Sequence, residues 1–555
     1  MSGGYGMRGG GRGGMRGGGR GGGRGVNRGA GGVSRRAFLG VLGGAALAAS
    51  GCGGGRETAG ELLASTARLP EPFTVPLPIP EVARPVSPGR YEVTQRVAAV
   101  EILPGLRTEV WGYGGTFPGP TFELRRGSPA VIGVRNELPV PTSTHLHGGV
   151  TPPDSDGYPT DLVVPAGYSS AHGHPGEVLH QVVKDYRYPV EQRAATLWYH
   201  DHRMDFTAPQ VWRGLAGMVL VRDEEEDALP LPRGERELAL MICDRSFEKD
   251  GSFRYPHTAH SAGGHGAGGH GAGGHGAGGH GAGGHGAGGH GLDDGTHALD
   301  PDYLEGVEGD VILVNGAPWP VAEVTAARHR LRLVNASNAR RYRLALSPRA
   351  RFTQIGSDSG LLAAPVDHDT ITLAPGERHD VVVDFSVYPP GTHVTLLNTL
   401  SGGPQGKVMR FVVTRRERDD TAVPATLSRP PRSPRPVTTR TFDFRRTNDS
   451  WTINGHRYRP GVPLASPRLG TAEVWRLTSD FHHPVHVHLA HFQVLARNGR
   501  RSDATDAGWK DTVDVRPYEV VDVLARFDGY RGRYMLHCHN LEHEDMAMMA
   551  DFEVV

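Results

Sequence analysis

The tripeptide His537-Cys538-His539 constrains this chain more than any other stretch of its 555 residues. It follows Gly532-Arg533-Tyr534-Met535-Leu536 and reads as the end of a β-strand, where successive side chains point to opposite faces. His537 and His539 therefore look one way and Cys538 the other, so a single backbone segment touches two sites at once. The i, i+2 spacing of imidazoles recurs in His145-Leu146-His147, His200-Asp201-His202 and His486-Val487-His488, with His145 and His200 each closing an apolar run. The fold must bring these strand ends together. With 80 Gly, 42 Pro and no long amphipathic helical pattern, the chain reads as all-β, built from many short strands joined by turns in a sandwich or barrel.

The side chains themselves point to copper. Cys538 offers a thiolate, His543 an imidazole five residues on and Met548 a thioether ten residues on; with His483 they make the His, Cys and weak axial Met set of a blue-copper electron-transfer site. Met546 and Met549 lie close enough to compete with Met548, although core packing is their default role. The paired imidazoles on four strand faces suffice for a copper cluster beside that site.

Taken in order, His-X-His-Gly, Trp-Tyr-His-Asp-His, His-X-X-His-X-His and His-Cys-His-X3-His-X4-Met resemble a three-domain multicopper oxidase, and the runs from His145 to Pro159 and from Leu541 to Asp545 are most similar to bacterial spore-coat laccases and bilirubin oxidases. The resemblance implies three cupredoxin-like Greek-key β-barrel domains with copper ligands in the first and third. It implies four copper ions: type 1 on His483, Cys538, His543 and Met548; type 2 on His145 and His486; and a binuclear type 3 pair on His147, His200, His202, His488, His537 and His539. Asp156 and Glu544 stand where this family has proton-relay acids; otherwise they are a turn-forming Asp and a solvated Glu. Asp201 either orients an imidazole or is an ordinary strand residue, and Asp511 and Asp514 are candidates for the neighbourhood of the type 1 site.

The implied reaction is laccase-like: one-electron oxidation of a small aromatic reductant (a phenol, an aromatic amine or a bilirubin-type tetrapyrrole), coupled to four-electron reduction of O2 to water. The alternative is a metal oxidase acting on Cu(I) or Mn(II); only 11 Met, with no Met-rich insert, argues against Cu(I). A non-catalytic cupredoxin protein of the cell envelope is a second alternative, but it would be expected to lose ligands, and here the ten His and the Cys are all in place.

The rest of the chain supplies context. Residues 1–51 hold a Gly/Arg-rich start and then Ser34-Arg35-Arg36-Ala37-Phe38-Leu39 before a short apolar run, resembling a twin-arginine export signal. Ala49-Ser50-Gly51-Cys52 resembles a lipoprotein cleavage site, with Ala49 where Leu is usual, so Cys52 either carries a membrane-attaching lipid or is incidental. An extracytoplasmic location follows, in the periplasm or at the cell surface. Eight of the 60 basic residues and no acid lie in 1–51, leaving 52 basic against 60 acidic groups in the body, which excludes a nucleic-acid binder. With three Cys, of which Cys538 is committed to copper and Cys52 is lost or lipidated, Cys243 is a packed core thiol and no disulfide is expected. The expected organisation is a Pro-rich lead-in (52–90), domains at 91–227, 233–415 and 440–555, and a linker at 416–439, in a chain expected to be monomeric. The Gly-Ala-Gly-Gly-His repeats within 257–297 are expected to be disordered, either as a copper-gathering tether or as an expanded loop without consequence.

Overall fold

The computed structural model describes residues 59–168, 176–256, 299–432 and 434–555. The export signal, Cys52 and the His/Gly repeat lie outside them. Where apolar residues alternate, as in Tyr342–Ser347 and Val520–Arg526, the strands are buried on one face; where they run on, as in Ala195–Asp201 and His483–Val487, every residue is buried. Helices are short, the longest among the described residues being Thr207–Arg213 at 7 residues, and none is long and apolar enough to cross a membrane.

Six large sheets form three face-to-face pairs whose strands come from successive parts of the chain. In the first pair, Phe122–Arg125, Ala216–Arg222, Ala195–Asp201 and Thr144–His147 pack on Thr108–Tyr113, Arg90–Val100, Ala130–Asn136 and Val183–Tyr188, over a core that includes Tyr113, Val134, Leu197 and Val219. The second pair is an eight-stranded sheet on a five-stranded one; the third is a six-stranded sheet on a five-stranded one, around Phe442, Trp475, Val485 and Phe552. Each of the six sheets contains one parallel pair, among them Arg90–Val100 with Ala130–Asn136, Glu237–Phe247 with Arg328–Asn335, and Pro436–Thr447 with Ala472–Ser479. A hairpin cannot join parallel neighbours, so in each unit the chain crosses to the facing sheet and returns, as in a Greek key.

The units share buried surface. Trp198, Met218 and Leu220 of the first belong to the same apolar cluster as Ile312 and Leu333 of the second. The lead-in adds a short strand, Glu61–Leu63, parallel to Val307–Gly309 of the second unit. The third unit's first strand, Pro436–Thr447, starts inside the segment expected as linker: Pro436 sits at the strand's first position, where a missing N–H is tolerated, and β-branched Val437, Thr438 and Thr439 continue it. Cys243 is a buried free thiol, as is Cys538.

Candidate metal centre

Two strands of the third unit carry most of the site. His483–Val487 pairs with Gly532–Cys538 so that His486 faces His537 and Val485 faces Cys538. The pleat then divides the donors: His486 and His537 lie on one face, His483 and Cys538 on the other. The short helix Leu541–Asp545 folds His543 back onto the second group. Cys538 Sγ lies 3.3 Å from His483 Nδ1 and 3.6 Å from His543 Nδ1, and the two nitrogens are 3.2 Å apart. Those are edges suited to ligands that sit about 2.0–2.3 Å from one shared ion. Met548 is fully buried, its N–H bonded to the His543 carbonyl and its carbonyl to the Cys538 N–H, whereas Met549 packs in a separate cluster with Met535 and Tyr458. Trp451 stacks on His543 with ring centroids 3.9 Å apart, and Phe481 flanks both imidazoles. Burial pushes the Cys538 thiol well above its usual pKa, so a thiolate there calls for a bound cation.

The opposite face meets the first unit. There His145 pairs with His200 and His147 with Trp198 across neighbouring strands, which presents both His pairs at one sheet end. Donor atoms from His145, His486 and His488, from His147, His200 and His539, and from His202, His488 and His537 form three groups, each within 4.8 Å. All eight rings are buried. Most anchor through Nδ1: His145 to the Asp156 carbonyl, His200 to the Asp201 carbonyl at 2.7 Å, His486 to the Asp511 carbonyl at 2.9 Å, and His488 to Asp156 Oδ2 at 2.7 Å. Their Nε2 atoms turn inward. His147 is reversed, with Nε2 3.1 Å from Asp511 Oδ1 and Nδ1 inward.

The inward atoms test the fit of a metal. His147 Nδ1, His200 Nε2, His202 Nε2 and His539 Nε2 are buried without a hydrogen-bond partner, and His488 Nε2 stands 3.2 Å from His537 Nε2. Burial lowers the pKa of His145, His147, His200, His488, His537 and His539, and that of His202 to about 4, so protons do not reconcile the converging lone pairs. Buried groups of this kind are metal sites in donor chemistry, and their His/Cys composition fits copper.

The carboxylates also take places. Asp156, 1% exposed, touches two ring nitrogens, and burial pushes its pKa up to about 8. Glu544, 0% exposed, lies 3.4 Å from His202 Nδ1 and 3.0 Å from His537 Nδ1 and accepts a bond from Thr207 Oγ1 at 2.8 Å; burial raises its pKa. Neither is a solvated surface acid. Asp201 orients His200 through its backbone carbonyl, while its carboxylate accepts the N–H groups of Ser143 and Arg203. Asp514, opposite Pro484 in the strand register, pairs with Arg341 and lies near His482. Asp511 corrects the expectation that it neighbours the type 1 site: the register that sets Thr512 opposite His486 puts it beside His147. Sequence reasoning missed Arg378, which forks onto Asp511. Its only signal was a cation opening the strand Arg378–Asp384, ahead of Val381-Val382-Val383 and just after Pro375-Gly376.

Comparison with known proteins agrees with this chemistry. Two family models described as multicopper oxidase match residues 95–226 and 428–555. The chain is 33% identical to a laccase of Bacillus subtilis, over 87% of this chain and 98% of the laccase. It is 34% identical to a bilirubin oxidase of Albifimbria verrucaria, over 86% of this chain and 81% of that protein. Among solved structures, a laccase from Pediococcus acidilactici superposes with a TM-score of 0.72 at 29% identity, covering 89% of this chain and 96% of that one.

Proposed function

The chain belongs to the multicopper oxidase family, and from that premise we propose that it is a laccase-like enzyme that oxidises phenols, aromatic amines or bilirubin-type molecules one electron at a time and passes the electrons to O2. The observation that carries this reading is the sharing of His537-Cys538-His539 between two buried donor groups. His483, Cys538, His543 and Met548 would hold one copper, His145 and His486 a second, and His147, His200 and His539 together with His202, His488 and His537 a pair. Copper bound there supplies one-electron acceptance on the thiolate side and four-electron reduction of O2 on the imidazole side.

The chain's own residues do the rest. The backbone of 537–539 keeps the sulfur and two cluster imidazoles only a few covalent bonds apart. Trp451 covers His543 and excludes water from the sulfur, while part-exposed Phe481 offers an aromatic donor a ring to stack on beside both imidazoles. Asp156 and Glu544 flank the cluster on separate sides and hold protons that water formation consumes.

Steady-state oxidation of a phenol, bilirubin, Cu(I) and Mn(II) by the copper-loaded protein tests the proposal. Turnover of the organic donors with O2 uptake and no released peroxide is expected. Turnover of Cu(I) or Mn(II) alone would replace it with the metal-oxidase reading.

A further inference from the structure

Among the described residues the middle unit contributes no imidazole or thiolate to either donor group, yet its turn at 374–378 lies against them. Gly376 has φ +84, and a Cβ there would stand 3.0 Å from His147 Cε1 and 3.1 Å from His539 Cδ2. Two residues on, the fully buried Arg378 spends its guanidinium on all three units. Nε donates to the Thr196 carbonyl of the first unit at 3.0 Å, on the strand that leads to His200. Nη1 donates to Asp511 Oδ1 of the third at 2.6 Å and Nη2 to Asp511 Oδ2 at 2.5 Å, while Gly376 and Asp358 of its own unit accept at 2.9 and 3.0 Å. Asp511 Oδ1 also lies 3.1 Å from His147 Nε2.

We propose that Arg378 is a positioning residue for the imidazole cluster: it clamps Asp511, and Asp511 fixes His147 with Nε2–H outward and Nδ1 toward the metal, an inference that rests on the cluster being a copper site. His147 needs such a clamp. His145, His200, His486 and His488 fix their tautomers by bonding Nδ1 to oxygens nearby, whereas His147 bonds through the far nitrogen and is held by Asp511 Oδ1 and Thr512 Oγ1. A bidentate guanidinium leaves the carboxylate no other orientation, which an ammonium cannot do. The same clamp accounts for the glycine that follows the first His pair: Gly148 has φ +86, and a Cβ there would overlap Arg378 Nη2 and stand 2.8 Å from Asp511 Oδ2. The middle unit thus governs a site to which none of its described residues donates a ligand.

The test compares the wild-type full chain with Asp511→Asn, Arg378→Gln and Arg378→Lys after copper loading, reading copper per chain, the thiolate blue band and the Cu(II) paramagnetic signal. Asp511→Asn keeps the shape but turns an amide N–H against an Arg378 N–H. In Asp511→Asn and Arg378→Gln, copper affinity of the cluster should fall about 10–100-fold, with an altered paramagnetic signal and an undiminished blue band. Arg378→Lys, charged but unforked, should recover only part of the affinity. Wild-type cluster affinity and signal in all three variants would overturn the proposal. So would equal loss of cluster copper and blue band, or failure of even Asp511→Asn to fold, because either marks a plain structural clamp. Wild-type protein binding no more than one copper would instead overturn the copper reading itself.

Discussion

Replacing Glu544 by Gln isolates proton delivery from everything else at the cluster. Burial raises the pKa of this carboxyl and so favours its neutral, protonated form. An amide of the same shape is neutral as well, and it can keep contacts with Thr207 Oγ1 at 2.8 Å and His537 Nδ1 at 3.0 Å. Stability and copper content should therefore change little. What the amide cannot do is give up a proton and take another from water. General acid catalysis is worth about 10²–10⁴-fold. Asp156 remains in place on the other flank, where it bonds His488, so the loss should sit at the low end. About 100-fold corresponds to ~2.7 kcal/mol of barrier. The assay separates two half-reactions: anaerobic bleaching of the blue band by a phenol, which should run at the wild-type rate, and recolouring on mixing with O2, which should slow. Recolouring within about twofold of wild type, well short of the effect expected of a general acid, would refute the relay. Loss of copper would show that Glu544 supports the cluster rather than serving it.

Three further outcomes can be measured. Burial pushes Asp156 up to about 8, so it holds its proton below that pH and loses it above; bound copper cations pull the value down, so O2 turnover should decline as pH rises towards 8, and Asp156→Asn should lack that limb in a kcat profile. Arg330 pairs with Glu226 at 2.9 Å and with Asp380 at 2.9 Å where the first and second units meet, so Arg330→Met should cost about 3–5 kcal/mol in denaturant unfolding with copper content unchanged. Although burial alone would raise the Glu226 pKa, Arg332, Arg330 and Arg222 hold it well below the usual carboxylate range; this stabilisation is present above the unfolded value of 4.5 and fades as pH falls, so the deficit of Arg330→Met should shrink in acid. Finally, cells given labelled palmitate should label the wild-type chain and not Cys52→Ala; equal labelling would discard the lipid anchor.

The division of donors was legible because it is local. A strand's two-residue period decides from three consecutive residues that His537 and His539 part company with Cys538, and no distant contact can undo it. The same rule made His145 with His147, and His486 with His488, readable as pairs. His543 and Met548 follow on the same few turns of chain, so their spacing carried them too. The all-β class was legible from turn chemistry, but the crossovers behind the parallel pairs were not, since they depend on which strands meet across separations of 35 to 97 residues.

What the sequence hid was the outer ring of contacts. Asp511 lies a residue from the strand Thr512–Val515, and only the pairing of Thr512 with His486 decides that it faces the cluster. Arg378 is 133 residues from Asp511, in a unit without a ligand motif. The asymmetry has a physical cause. A metal accepts only a few donor types at fixed spacing, so inner donors leave a pattern in the chain. The groups that hold the far side of His145, His147, His200 and His486 need only accept a hydrogen bond, and here a carboxylate, a hydroxyl and three backbone carbonyls all do so. Such partners carry no motif. For His147 the partner's orientation is nevertheless decisive, because the ring nitrogen that faces inward depends on it, and so a residue with no readable signature controls one with the clearest.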